Sequence, residues 1–297
     1  MVAFSFTLPF TRVAAAGLSP LFIGSGRAVV AAALAVAALM LSRSRPPRGT
    51  QWLRLAVVAA GIVVGFPLLT SFALLTVPAS HGAMVIALLP AATAVVAVIR
   101  SGERPPSTFW VAAGLGAAVA VLFASMQGGG FGQLQGADLL LFGAVIAAAI
   151  GYAEGGLLAR TLGSWQTVCW ALLLAAPLML PLAVLSVAQQ PPSGGLAEWS
   201  SFGYLAVVSM FLGFFAWYRG LAIGPMASVS QVQLVQPVLS ILWATLLLGE
   251  RVTLATVVGG TTVILCASLA VRIRLARSTR QEGVTAAMSP RARTARR

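Results

Sequence analysis

The chain has 297 residues, 59% of them apolar and only 8% charged, with a formal charge of +13. A soluble domain carries about 25% charged residues, so a water-facing globular fold is excluded. Lysine is absent and all 19 basic residues are arginine. They fall in short loops and in the C-terminal stretch, where they read as membrane-orientation signals and lipid-headgroup contacts rather than as a nucleic-acid surface.

In chain order, apolar segments span roughly 1–15, 18–41, 53–74, 79–99, 107–126, 137–158, 165–187, 199–222, 226–248 and 252–273. At about 20 residues per span, this predicts an all-α integral membrane protein with ten transmembrane helices. The first segment is odd. It holds Pro9 and Arg12, and at 1.5 Å per residue it reaches about 22 Å, short of the ~30 Å hydrocarbon core. It has no basic leader of the kind a signal peptide carries. It is expected to be the shortest helix, either as a true half-length helix or, the favoured reading, because the start codon is assigned too late. With a cytoplasmic N-terminus, sixteen arginines fall on the cytoplasmic side and three (Arg12, Arg27 and Arg251) on the other. The positive-inside rule therefore puts both termini in the cytoplasm of a cell-membrane protein. Trp52, Trp110, Trp165 and Trp199 start their segments and read as interface anchors. Residues 274–297 are polar and basic and are expected to be disordered.

The two halves match at a constant offset. Leu74 pairs with Leu221, Pro78 with Pro225, Pro90 with Pro237, and Gly102-Glu103-Arg104 with Gly249-Glu250-Arg251, each 147 residues apart. The repeating unit is five helices. Five is odd, so the copies cross the membrane in opposite directions, an arrangement common in secondary transporters whose site lies at the midplane. The Gly-Glu-Arg copies fall on opposite faces and read as structural. The glycine would close one helix in a left-handed conformation, and the glutamate would sit at the positive end of the next.

Polar residues inside the apolar runs are the candidate site. In the ninth segment Ser230, Gln233, Gln236, Ser240 and Trp243 share one stripe at 100° per residue, while Gln231 points away. The stripe is either interhelical hydrogen bonding or the lining of a cavity. Pro237 interrupts the same segment, as Pro90 does the fourth. Glu154 is either paired with Arg160 or another arginine, or a protonatable or cation-binding group. Arg27 either snorkels to the interface or offers a counter-charge to a carboxylate. Asp138 reads as a helix-start partner, Arg219 as an interface anchor, and His81 as a satisfied interface residue or a proton relay. Tyr152, Trp170, Trp217 and Tyr218 are candidate cavity aromatics. No nucleotide, metal or nucleophile motif is present: Gly128-Gly129-Gly130 lacks the ending of a phosphate loop, and Cys169 and Cys266 stand alone in apolar runs. No cofactor is expected.

Trp217-Tyr218-Arg219-Gly220-Leu221-Ala222, Gln231-Val232-Gln233-Leu234-Val235-Gln236-Pro237 and Leu248-Gly249-Glu250, with the weaker echo Leu89-Pro90 and Gly102-Glu103 and the run Gly151-Tyr152-Ala153-Glu154-Gly155, resemble the EamA-type branch of the drug/metabolite transporter superfamily. The resemblance covers residues 1–273. It departs at the front, where family members have a longer first helix. It implies two inverted five-helix repeats, 1–126 and 137–273, joined by 127–136, with alternating access to a central cavity and export of amino acids, metabolites or drugs. The partners it implies are a small-molecule substrate and the lipid bilayer, with protons a candidate coupling ion. The rival readings are a membrane sensor or scaffold and a membrane-embedded enzyme. The latter would need a catalytic cluster at one depth, which one Glu and one His do not supply.

Overall fold

The computed structural model describes residues 1–101, 135–224 and 226–250, with isolated positions between 107 and 118 and between 254 and 265. The expectations for Gly102-Glu103-Arg104, Gly128-Gly129-Gly130, Pro225, Arg251, Cys266, the side chain of Gln231 and residues 274–297 lie outside the described residues.

All regular structure among the described residues is helical. Helix α1 is Val2–Ala14, α2 Pro20–Ser42, α3 Gln51–Ala73, α4 Ala79–Ile86 continuing as Leu89–Ser101, α5 Gly136–Leu162, α6 Ser164–Gln189 and α7 Leu196–Ile223. Helix α8 runs through Met226–Val229, Ser230–Leu234 and Val235–Leu248. Six of these, α2 to α7, are long and apolar enough to cross a membrane, and α1 and the last part of α8 are shorter apolar helices. Their outward faces carry large bare aliphatic side chains, such as Leu41, Leu53, Ile99 and Leu246. An exterior as apolar as the interior suits hydrocarbon and not water.

The ends of the helices follow from local chemistry. The Ser19 hydroxyl accepts from Phe22 N at 3.2 Å, and Pro20 occupies the first turn of α2, where its missing N–H is not needed. Helix α5 opens with a capping box, Gln135 and Asp138 each accepting from the other's backbone N–H. Gly249 closes α8 at φ 64°, the left-handed conformation expected from its motif.

Two helices depart from the α pattern at corresponding places. Ala59–Gly65 in α3 and Leu205–Leu212 in α7 are π-helical. The last ring of each is closed by Phe66 N on Gly61 O and by Gly213 N on Val208 O. Both donors and both acceptors are 147 residues apart. The break in α4 at Ala87–Leu88 also has its counterpart, the 3-10 turn Ser230–Leu234 in α8. In each case the irregular turn lies just before Pro90 or Pro237, the prolines occupying the first turn of the next segment.

The packing repeats in the same way. Helix α3 packs on α5 as α7 packs on α1, α4 packs on α5 as α8 packs on α1, and α2 meets α7 as α6 meets α3. The pairs α2–α6 and α4–α8 are each their own counterpart, and α3–α5 is the most extensive contact, followed by α2–α6. Close approach of α3 to α5 depends on glycine. A Cβ on Gly61 would sit 2.3 Å from Ala147 O, and one on Gly151 would sit 2.6 Å from the Ile62 side chain. Small residues are the usual means by which helices pack in lipid.

Candidate central cavity

Six helices converge on a narrow, partly open cavity of ≈ 350 Å³, the space at its mouth included. The room between the side chains suits a water or two. The first helix contributes Phe4 and Thr7, α2 contributes Arg27, and α3 contributes Ile62, Phe66 and Pro67. Helix α5 adds Tyr152, α7 adds Ser209, Met210 and Phe214, and α8 adds Gln236. Ile62, Phe66, Tyr152, Ser209 and Gln236 lie near the middle of their helices, so the cavity is at mid-depth. Ile62, Ser209 and Met210 belong to the two π segments. Such segments occur often at functional sites, where they re-aim side chains and loosen the backbone ladder.

The polar lining is sparse. Thr7 Oγ1 and Ser209 Oγ share a buried hydrogen bond of 2.8 Å. Gln236 Nε2 reaches Phe4 O only at 3.5 Å. Arg27 is 2% exposed, and its Nε and Nη2 have no partner among the described residues. It borders the cavity and does not snorkel to the interface.

The stripe on α8 does face inward: Ser230, Gln233, Gln236 and Ser240 are buried. It divides by task. Ser240 Oγ donates to Ser5 O at 2.7 Å, and Trp243 Nε1 donates to Ser5 Oγ at 2.9 Å while its ring stacks on Phe6. These two hold α1 against α8. Only Gln236 borders the cavity. Gln233, one helical turn earlier, is buried with both amide atoms unpartnered.

The remaining candidates separate in the same way. Trp217 packs edge-on against Tyr152 with ring centroids 5.4 Å apart, one ring removed from the cavity. Trp170 meets Trp52 at 5.7 Å and does not border it. Tyr218 donates to Gly151 O at 3.0 Å, with its ring in the space left by Gly155.

Glu154 is paired. It accepts from Arg54 Nε through one oxygen and from Arg100 Nε at 2.8 Å and Nη2 at 2.7 Å through the other. Its partners come from α3 and α4; Arg160 instead donates to Gly224 O at 3.3 Å. Asp138 Oδ1 lies 2.6 Å from His81 Nε2, a buried pair joining α5 to α4. Glu250 reaches across to the other half of the chain. Its two oxygens accept from Ala79 N at 2.8 Å and Ser80 N at 3.0 Å, so it caps α4, in the other half. Arg12 donates to Leu74 O and Leu75 O at the same end of the bundle. Among the described residues no three His, Cys, Asp or Glu side chains come together as a metal site requires.

Thr7, Ser209 and the apolar lining went unpredicted. The hydroxyls and small apolar residues of this chain are too common to stand out singly.

Long apolar helices enclosing a mid-depth cavity with a polar corner define a polytopic membrane protein of the small-solute transport class. Residues 1–125 and 135–272 both match the EamA-like transporter family, and the chain belongs to that family. It is similar to the uncharacterized transporter YdeK of Bacillus subtilis (strain 168), at 42% identity over 92% of this chain and 94% of that one. It is also similar to a probable terminal-alkyne amino-acid exporter of Streptantibioticus cattleyicolor, at 28% identity over 88% of this chain and 86% of that one. A solved crystal structure shares the fold, with a TM-score of 0.66 and 20% identity, covering 91% of this chain and 96% of that one.

Proposed function

We propose that this protein is a ten-span secondary transporter that exports small organic solutes by alternating access. Its two five-helix halves, 1–126 and 137–273, are inverted with respect to one another and rock about the central cavity, with both termini in the cytoplasm. The observation that carries this reading is the cavity itself. It lies at mid-depth and is lined from both halves, and its walls include the π segment of each. Export and the solute class are suggested by the amino-acid exporter among its relatives.

The sites proposed for solute are Arg27, Gln236 and Tyr152 in the wall, with Gln233, Ser230 and Trp217 directly behind it. Ser240, Trp243, Glu154 and Trp170 take structural parts instead. Protons are the coupling ion this reading assigns, and His81 with Asp138 is the buried pair able to carry one. The test is solute flux in proteoliposomes holding the full chain, driven by a solute gradient and then by a proton gradient. Accumulation above the empty-vesicle background supports the reading. No flux across a panel of amino acids, small organic acids and cationic drugs rejects it.

A further inference from the structure

Every other buried charge described above is neutralised within the protein. Glu154 has two arginines, Asp138 has His81 and the Gln135 N–H, and Glu250 has two backbone N–H groups. Among the described residues Arg27 has no such partner, although it is 2% exposed and lies seven residues inside α2. A guanidinium stays charged at any physiological pH. Burying it without an anion is strongly destabilising, and a neutral residue at position 27 would remove that cost.

The unpartnered atoms have a specific geometry. Nε and Nη2 share one edge of the guanidinium, and their N–H bonds run parallel. That edge matches the two oxygens of a carboxylate in a bidentate pair. Among the described residues lining the cavity, Arg27 is the one charged side chain. The wall thus carries a single positive charge, which one monoanion balances. A phosphate monoester, with a charge of about −1.5 to −2, would leave negative charge unmatched. Thr7, Ser209, Gln236 and Tyr152 add only neutral donors and acceptors, so an ammonium group on the solute would meet no carboxylate in this wall. Phe4, Phe66, Met210 and Phe214 supply an apolar surface for the rest of the solute.

We infer that Arg27 is the anchor for the carboxylate of the transported solute, and that the preferred solute is a small organic monocarboxylate with an apolar body. A free amino group is tolerated but not required. This inference rests on the transport reading above for the cavity's role, though not for the binding itself.

The test uses the purified full-length protein in detergent and reads the thermal unfolding midpoint. The probes are hexanoate and N-acetyl-leucine, each compared with its own carboxamide. The acids should raise the midpoint at millimolar concentration and the carboxamides should not. Arg27→Gln should weaken apparent affinity about tenfold to a hundredfold, as the loss of one of two charge-assisted hydrogen bonds would, and Arg27→Lys should restore part of it. Without ligand, Arg27→Gln and Arg27→Met should unfold at or above the wild-type midpoint; a merely structural arginine would lower it. The assignment is overturned if neither acid stabilises the protein, if the carboxamides stabilise it equally, or if Arg27→Gln keeps the full response. Flux of the stabilising acid in proteoliposomes separates the two readings. Arg27-dependent binding without flux keeps the anchor and rejects transport, whereas flux that survives Arg27→Gln rejects the anchor and keeps transport.

Discussion

Glu250 joins the end of α8 to the start of α4, and its removal tests whether that junction belongs to one state of a moving protein. Its carboxylate accepts two backbone N–H bonds, of 2.8 and 3.0 Å. Hydrogen bonds to a charged group contribute about 1.5–3 kcal/mol each when buried. Glu250 is only half-buried, so water partly replaces it, and the pair together is worth about 2–3 kcal/mol. If the contact exists only while this end of the bundle is shut, Glu250→Ala shifts the shut-to-open ratio by about thirty- to hundredfold. Glu250→Gln keeps one acceptor and should shift it by about the square root of that. The assay is the labelling rate of Thr7→Cys, which lines the cavity, in a chain carrying Cys169→Ala and Cys266→Ala. A membrane-impermeant thiol reagent is applied from the side that this end faces, the outside in the topology proposed above. Faster labelling by the stated factor is expected. A lower unfolding midpoint with an unchanged labelling rate would refute the reasoning and leave Glu250 as a cap present in every state.

Three other perturbations follow from the same geometry. Gln236→Ala, and to a lesser degree Gln233→Ala, should cut solute flux about three- to tenfold at matched expression and sub-saturating solute, while Gln231→Ala should change it little; equal flux in all three would remove α8 from the site. Glu154→Gln should lower stability by about 1–3 kcal/mol, because Arg54 and Arg100 lose a shared partner but are exposed enough to rehydrate. Thermal unfolding should show it more damaging than Arg54→Ala or Arg100→Ala alone, and unaltered solute preference should mark it as structural. Asp138→Asn should leave solute-gradient-driven flux in proteoliposomes while abolishing its dependence on an imposed proton gradient. Retention of proton drive would clear the His81–Asp138 pair of any coupling role.

Much of this molecule was legible in the sequence because hydropathy and the offset of 147 residues are properties of the chain itself. The helices of the described residues fall within a few residues of the apolar runs, and the inward stripe on α8 is visible in its spacing. What escaped detection required knowing which helices touch. Arg54 and Arg100 are 100 and 54 residues from Glu154 in sequence, so their convergence is a product of packing and not of any local pattern. For Ser240 and Trp243 periodicity gives a face but not its neighbour, and the neighbour is Ser5. Trp170, an aromatic of the right chemistry for a cavity, packs against Trp52. Arg27 was legible as a choice between the interface and the interior, and the packing of α2 against α7 decided it by burying the residue.

The paired π turns bear on how this protein tolerates insertions and deletions. Each π ring closes on the fifth residue where an α ring closes on the fourth, so each segment holds an extra residue within its helix. An α-helix advances about 100° per residue. Deleting one residue from Ala59–Gly65 would let the ladder close as ordinary α-helix while the stretches on either side keep their relative rotation, because the wide turn has already absorbed the extra residue. Phe66 would then stay in the cavity wall, as Phe214 would after a deletion within Leu205–Leu212. The same deletion one or two turns away, in regular α-helix, would swing everything beyond it by about 100° and carry those rings out of the wall. The two π stretches are thus the places in α3 and α7 where the chain can lose a residue without losing the phase of the helix.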